Sequence, residues 1–220
     1  MSTKHIAVVL SGCGHLDGSE IHEATLTLLA LSRAGASYQG IAPNRNQLHV
    51  VDHSTGEVDS SAEPRNILKE ASRIVRGNII DINDANIADY DAVIFPGGFG
   101  AAKNLFDFAV KGDTTFTVQK DVVQFVEKAK AANIPMGFIC VAPVMMAKLF
   151  VSPELTIGKN ADISDVLESL GAKHHNKKVD EICIDNNNRV VTTPAYMLGE
   201  NIYDVSKGID KLVEQVLAMC

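Results

Sequence analysis

A chain of 220 residues, 46% hydrophobic and 21% charged, has the make-up of a single folded domain and excludes a disordered or fibrous segment as the carrier of function. A net charge of −7, from 20 basic and 27 acidic side chains, leaves no basic stripe for nucleic acid, so that partner class is not expected. No apolar run approaches the roughly 18 residues that cross a bilayer; with the short polar opening Met1 to Lys4, this predicts a cytosolic protein without membrane contact.

Ile6 to Leu10 is a short apolar run stopped by Ser11-Gly12-Cys13-Gly14, the pattern of a strand buried on both faces of a parallel sheet. Ser19 to Ala34 reads as a helix ending at Gly35, where a left-handed cap is easiest. A strand at Tyr38 to Ala42 then completes a βαβ unit. His49 to Asp52 and Glu57 to Asp59 flank a hairpin-like insertion, and Asn66 to Val75 is amphipathic. Strands follow at Ile79 to Ile82 and Ala92 to Phe95, then a helix at Val118 to Ala132. Met136 to Ile139 is a strand running into Cys140, and Ala142 to Phe150 turns helical. Ile163 to Leu170 is a helix, Ile182 to Ile184 and Val190 to Thr192 bracket a turn-rich hairpin, and Asn201 to Leu217 closes the chain as a helix. Without a repeat or linker, residues 1–220 read as one domain. The expected architecture is a doubly wound, mostly parallel α/β sheet with helices on both faces.

The strongest chemical signal is the segment GFICVAP, residues 137–143. An apolar strand delivers Cys140 to a strand-to-helix turn, the geometry of a nucleophile elbow. Helix N–H groups there favour thiolate and predict a lowered pKa; a free cysteine is more commonly a small buried hydrophobe. A second glycine-rich turn, Pro96-Gly97-Gly98-Phe99-Gly100, also follows a buried strand, and its backbone N–H groups face the same sheet edge. Gly98 and Val141 are the expected donors to an oxyanion beside Cys140. The four cysteines, Cys13, Cys140, Cys183 and Cys220, form no CxxC pair and read as reduced thiols.

Together, VIFPGGFG (93–100), GFICVAP and VVTTPAYM (190–197) resemble the ThiJ/PfpI, class I glutamine amidotransferase-like superfamily. The segments SGCGHLDGSEIHEA (11–24), PGGFGAAKNL (96–105) and TTPAYML (192–198) are similar to its ElbB branch, amidotransferase-like proteins linked to isoprenoid biosynthesis. The resemblance spans nearly the whole chain. It implies a flavodoxin-like fold, cofactor-free thiol chemistry, glyoxalase activity, a homodimer, and a glutamate on the first helix touching the cysteine.

Glu20 and Glu23 both suit that last role, lying three residues apart on one helix face. Asp17-Gly18-Ser19-Glu20 also reads as a capping box with Glu20 at its third position. Glu23 lies one turn inside a mostly apolar helix, where burial raises a carboxyl pKa and equips it for proton transfer. Counting back without gaps from Arg33-Ala34-Gly35 matches Glu23 to the superfamily's glutamate; a longer preceding loop keeps Glu20 in contention. No histidine follows Cys140, where Val141 stands, and none lies in the late Thr192 to Tyr196 turn, so an amidase triad is not expected. His22 is a possible accessory, and Cys13 a second thiol at the same sheet edge. No metal or cofactor motif is present.

Two functions remain. One is a glyoxalase converting glyoxal or a related 2-oxoaldehyde to a 2-hydroxy acid through a Cys140 hemithioacetal. The other is a non-catalytic redox or partner-binding protein in which Cys140 is reversibly oxidised.

Overall fold

The computed structural model describes residues 3–220, so Met1 and Ser2 of the polar opening lie outside the described residues. In chain order the elements are β1 (His5–Val9), α1 (Ile21–Arg33), β2 (Ser37–Ala42), the hairpin β3 (Val51–Asp52) and β4 (Glu57–Val58), α2 (Ile67–Ile74), β5 (Ile79–Asp81) and β6 (Ala92–Phe95). The short helices α3 (Ala101–Asn104) and α4 (Phe108–Lys111) precede α5 (Lys120–Ala131) and β7 (Met136–Ile139). The remainder is α6 (Met146–Leu149), β8 (Glu154–Leu155), α7 (Ala161–Ser169), β9 (Lys173–His174), β10 (Cys183–Asp185), β11 (Val190–Thr193) and α8 (Ile202–Met219).

Seven strands form one sheet in the order β10-β11-β7-β6-β1-β2-β5. All neighbours are parallel except the β10–β11 edge pair. β2-β1-β6-β7-β11 is a flavodoxin-like order extended by β5 and β10, and its topological switch point falls between β1 and β6. The central strands read as unbroken apolar runs because helices cover both faces: Ile6 to Val9 and Ala92 to Phe95 are fully buried. Phe95 and Phe138, on adjacent strands, stack with ring centroids 4.7 Å apart.

Two expectations change. Asp17 does not start α1; Glu20 is the N-cap, its carboxylate accepting the Glu23 N–H at 2.6 Å. The buried Asp17 carboxylate instead accepts the Val51 N–H at 2.8 Å, which ties the hairpin insertion to the first loop. Residues 142–150 are not one helix but a 3₁₀ turn, Ala142–Met145, leading into α6. Pro143 brings no N–H to that turn, and the tighter i to i+3 winding suits short pieces at helix starts. Gly35, at φ +72°, ends α1 as its position predicts.

Candidate active site

β7 ends at Ile139, and the next residue leaves the strand abruptly. Cys140 adopts φ +63°, a left-handed conformation uncommon outside glycine. Its N–H donates to the Thr193 carbonyl at 2.9 Å, which holds the turn to the end of β11. The side chain is thereby thrown to the carboxyl edge of the sheet, where it is only 7% exposed. There the Gly98 and Val141 backbone N–H groups and the Glu23 carboxyl are its polar neighbours, the amides favouring thiolate and the carboxyl opposing it. Gly97 makes this approach feasible: a Cβ on it would sit 2.5 Å from the Cys140 Cβ and 2.9 Å from the Glu23 Oε2.

Glu23 is 0% exposed. Its Oε2 accepts the Gly97 N–H at 2.9 Å and its Oε1 the Tyr196 N–H at 3.2 Å. Burial, reinforced by the nearby Glu20 charge, pushes its pKa up to about 8 against the two amides and Cys140, which pull it down. The Cys140 thiol is pushed well above its ordinary range, first by burial and then by Glu23; the Gly98 and Val141 amides only partly offset this. Near neutral pH the pair therefore rests as carboxylic acid and thiol. The expected lowering of the thiol pKa by turn amides is corrected here. The Gly98 and Val141 amides do favour thiolate, but desolvation of the charged form outweighs them.

Of the two candidate acids, Glu23 meets the sulfur and Glu20 caps α1 while lining the cavity beside it. His22 is exposed and lies at hydrogen-bond distance, 2.8 Å, from the Tyr196 hydroxyl. Cys13 does not join Cys140. It is half-buried, its charged neighbours are Glu70, Arg73 and Asp17, and it is absent from the cavity lining, to which the same loop contributes His15 instead. Among the described residues, no three His, Cys, Asp or Glu side chains gather as metal ligands.

Sequence reading passed over Tyr196 and the cavity wall. Tyr196 was visible only as the place where a histidine was lacking; the end of β11 beside β7 is the signal that marks it. The cavity holds about 460 Å³ and opens onto Cys140, with walls from the loop after β6, α4 and the start of α7. α3 and α4, four residues each, are too short to show a helical period.

Residues 13–198 match the family model described as DJ-1/PfpI. Human glutamine amidotransferase-like class 1 domain-containing protein 3, mitochondrial, is 44% identical over 97% of this chain and 82% of its own length. The rat ES1 protein homolog, mitochondrial, is 44% identical over 97% of this chain and 83% of its own. The crystal structure of an isoprenoid biosynthesis protein with amidotransferase-like domain from Ehrlichia chaffeensis is similar at a TM-score of 0.90 and 33% identity, covering 99% of each chain. The mitochondrial relatives overturn the expectation of a cytosolic protein. Free thiols persist wherever glutathione and thioredoxin reduce them, so cysteine usage does not single out the cytosol.

Proposed function

This chain belongs to the DJ-1/PfpI family, and on that premise we propose that it is a cofactor-independent glyoxalase acting on 2-oxoaldehydes through Cys140 and Glu23. The observation that carries this reading is a buried carboxyl, its pKa about 8, set beside a thiol at a strand-to-turn elbow. An acid with that pKa is matched to moving protons near neutrality.

The reaction needs one bond made to sulfur and one proton moved between carbons. In the ionised fraction of the pair, the Glu23 carboxylate takes the thiol proton as the sulfur adds to the aldehyde carbon. It then passes that proton to the aldehyde oxygen, which becomes the hemithioacetal hydroxyl and leaves Glu23 ionised again. The Gly98 and Val141 amides, which in the free site face the sulfur, stabilise negative charge as the oxygen leaves its double bond. Glu23 then removes the hydrogen from the hemithioacetal carbon as the adjacent carbonyl becomes an enediolate oxygen. The hemithioacetal hydroxyl proton passes to that oxygen, and Glu23 returns its proton to the adjacent carbon as the thioester carbonyl forms. This leaves a thioester of a 2-hydroxy acid. Water cleaves it, the acid departs, and Cys140 regains its proton. The substrate is oxidised at one carbon and reduced at the next, so no external electron carrier is required.

Reversible oxidation of Cys140 is the poorer fit. Susceptibility to oxidants follows thiolate character and exposure, and burial opposes both. Steady-state turnover of glyoxal by the purified protein tests the proposal. Cys140→Ser should remove activity, and Glu23→Gln should lower it by at least about a hundredfold, the scale of general acid–base catalysis. No turnover by the parent protein, or turnover indifferent to both changes, rejects it.

A further inference from the structure

We propose that the cavity beside Cys140 takes 2-oxoaldehydes bearing an aromatic or branched apolar substituent, in preference to glyoxal itself. This rests on the glyoxalase reading of Cys140 and Glu23 and assigns its substrate class.

Size is the first observation. Glyoxal is two carbons and two oxygens, whereas the cavity of about 460 Å³ lies in the range of roughly 300–1,000 Å³ that encloses drug-sized ligands. A molecule as small as glyoxal leaves most of that space to water.

The chemistry of the wall is the second. Phe99, Ala102, Phe108, Ala109, Ile163 and Met197 supply much of it. Of the four polar lining residues, His15, Glu20, Asn160 and Tyr196, the last three are already engaged by the protein. The Glu20 carboxylate holds the Glu23 N–H at 2.6 Å, the Asn160 Oδ1 holds the Ile163 N–H at 3.0 Å, and the Tyr196 hydroxyl lies 2.8 Å from the His22 Nδ1. A polar substituent would have to compete for these groups, while an apolar one meets matching surface. The Glu20 carboxylate further disfavours an anionic substituent.

Phe99 is the third. It follows the turn that carries Gly98, stays 56% exposed, and borders the cavity. A large aromatic left in water at the rim of an apolar cavity gains most when a ligand ring covers it.

The chemistry is that already given. Sulfur bonds to the terminal aldehyde carbon, the hydrogen there moves by way of Glu23 to the carbon bearing the substituent, and water releases a substituted 2-hydroxy acid and the thiol.

The test compares kcat/KM for phenylglyoxal and glyoxal, each divided by the rate at which the same aldehyde adds to a free thiol. The corrected ratio should favour phenylglyoxal by at least about tenfold, the low end of what burying a phenyl ring contributes. Phe99→Ala, which removes ring contact, and Ala109→Trp, which fills the cavity, should each lower that ratio at least about threefold. A parallel measurement needs no turnover: alkylation of Cys140 by phenacyl bromide against bromoacetone, each relative to glutathione. Cys140-dependent turnover with no preference for phenylglyoxal overturns the substrate class and leaves the glyoxalase reading standing. Absence of turnover with faster phenacyl alkylation overturns the glyoxalase reading and upholds the ligand class. No preference in either measurement, without turnover, overturns both.

Discussion

Replacing Glu23 by Gln should change the sign of its effect on stability as pH rises. The carboxyl has a pKa of about 8 in the folded protein against an ordinary 4.5. Between those values the folded state holds a proton that the unfolded chain has released, so wild-type stability falls as pH rises. Each pKa unit is about 1.4 kcal/mol, which makes the loss about 3 kcal/mol at pH 7 and about 5 kcal/mol above pH 8. A glutamine in its place would not titrate, but it carries its own cost. Both carboxyl oxygens accept a backbone N–H, from Gly97 and from Tyr196, and the Gln amide nitrogen accepts neither. One buried N–H is left facing another donor, a loss of about 1–3 kcal/mol at every pH. The variant should therefore be less stable than wild type at pH 5 and more stable at pH 8.5. Urea denaturation of both proteins across that range checks this, because all other titrations cancel in the difference. A wild-type-minus-variant difference that stays flat with pH refutes the claim that Glu23 is held protonated.

The same ionisation should shape catalysis: kcat/KM should rise with pH through an inflection near 8, since only the carboxylate accepts the thiol proton. Glu20→Gln should move that inflection to lower pH, because the Glu20 charge raises the Glu23 pKa, while a Gln oxygen still caps α1; an unmoved inflection would separate the two acids. Iodoacetamide at pH 7 should label the exposed Cys220 before the buried Cys140, read by mass mapping, and first labelling at Cys140 would mean that the turn amides outweigh burial after all. Gly97→Ala should destabilise by at least about 2 kcal/mol in thermal melts and abolish turnover, since its new Cβ would meet the Cys140 Cβ, the Ile139 carbonyl and the Glu23 Oε2, all within 2.9 Å. Wild-type behaviour of that variant would show that the contact is not rigid.

The sheet was legible because its central strands are short β-branched runs ending in glycine-rich turns, and such runs leave few alternatives to burial on both faces. Cys140 and the Gly98 turn were legible for the same reason, since parallel strands carry their carboxyl ends to one edge. Cys13 shares that logic yet its side chain misses the cavity that His15 of the same loop lines, because the path of a loop after its strand is set by packing; here Gly12 approaches Gly18 and Gly14 approaches His53. The choice between Glu20 and Glu23 turned on where α1 begins. Both acids share one helix face, but Glu20 is the N-cap and Glu23 lies inside the first turn, and the Asp17-to-Glu20 pattern pointed to a start one turn too early. The thiol pKa was misjudged because sequence reveals the amide donors but not how completely the neighbouring chain excludes water.

The two amides on Glu23 come from residues 74 and 173 positions away along the chain. A buried carboxyl with partners that distant has no local way to form, and non-local pairings of this kind close late and slowly in folding. Tyr196 belongs to the turn between β11 and α8, the last parallel strand and the last helix to be synthesised. A ribosome-bound chain that has completed β7 already contains Cys140, Gly98 and Glu23, but it lacks the Thr193 carbonyl that holds the cysteine's N–H and the Tyr196 amide that holds the acid. Thiol and carboxyl are then two unrelated side chains. Their chemistry is coupled to completion of the whole sheet, which would make the proposed Cys140-dependent turnover a more stringent report of full folding than secondary-structure content.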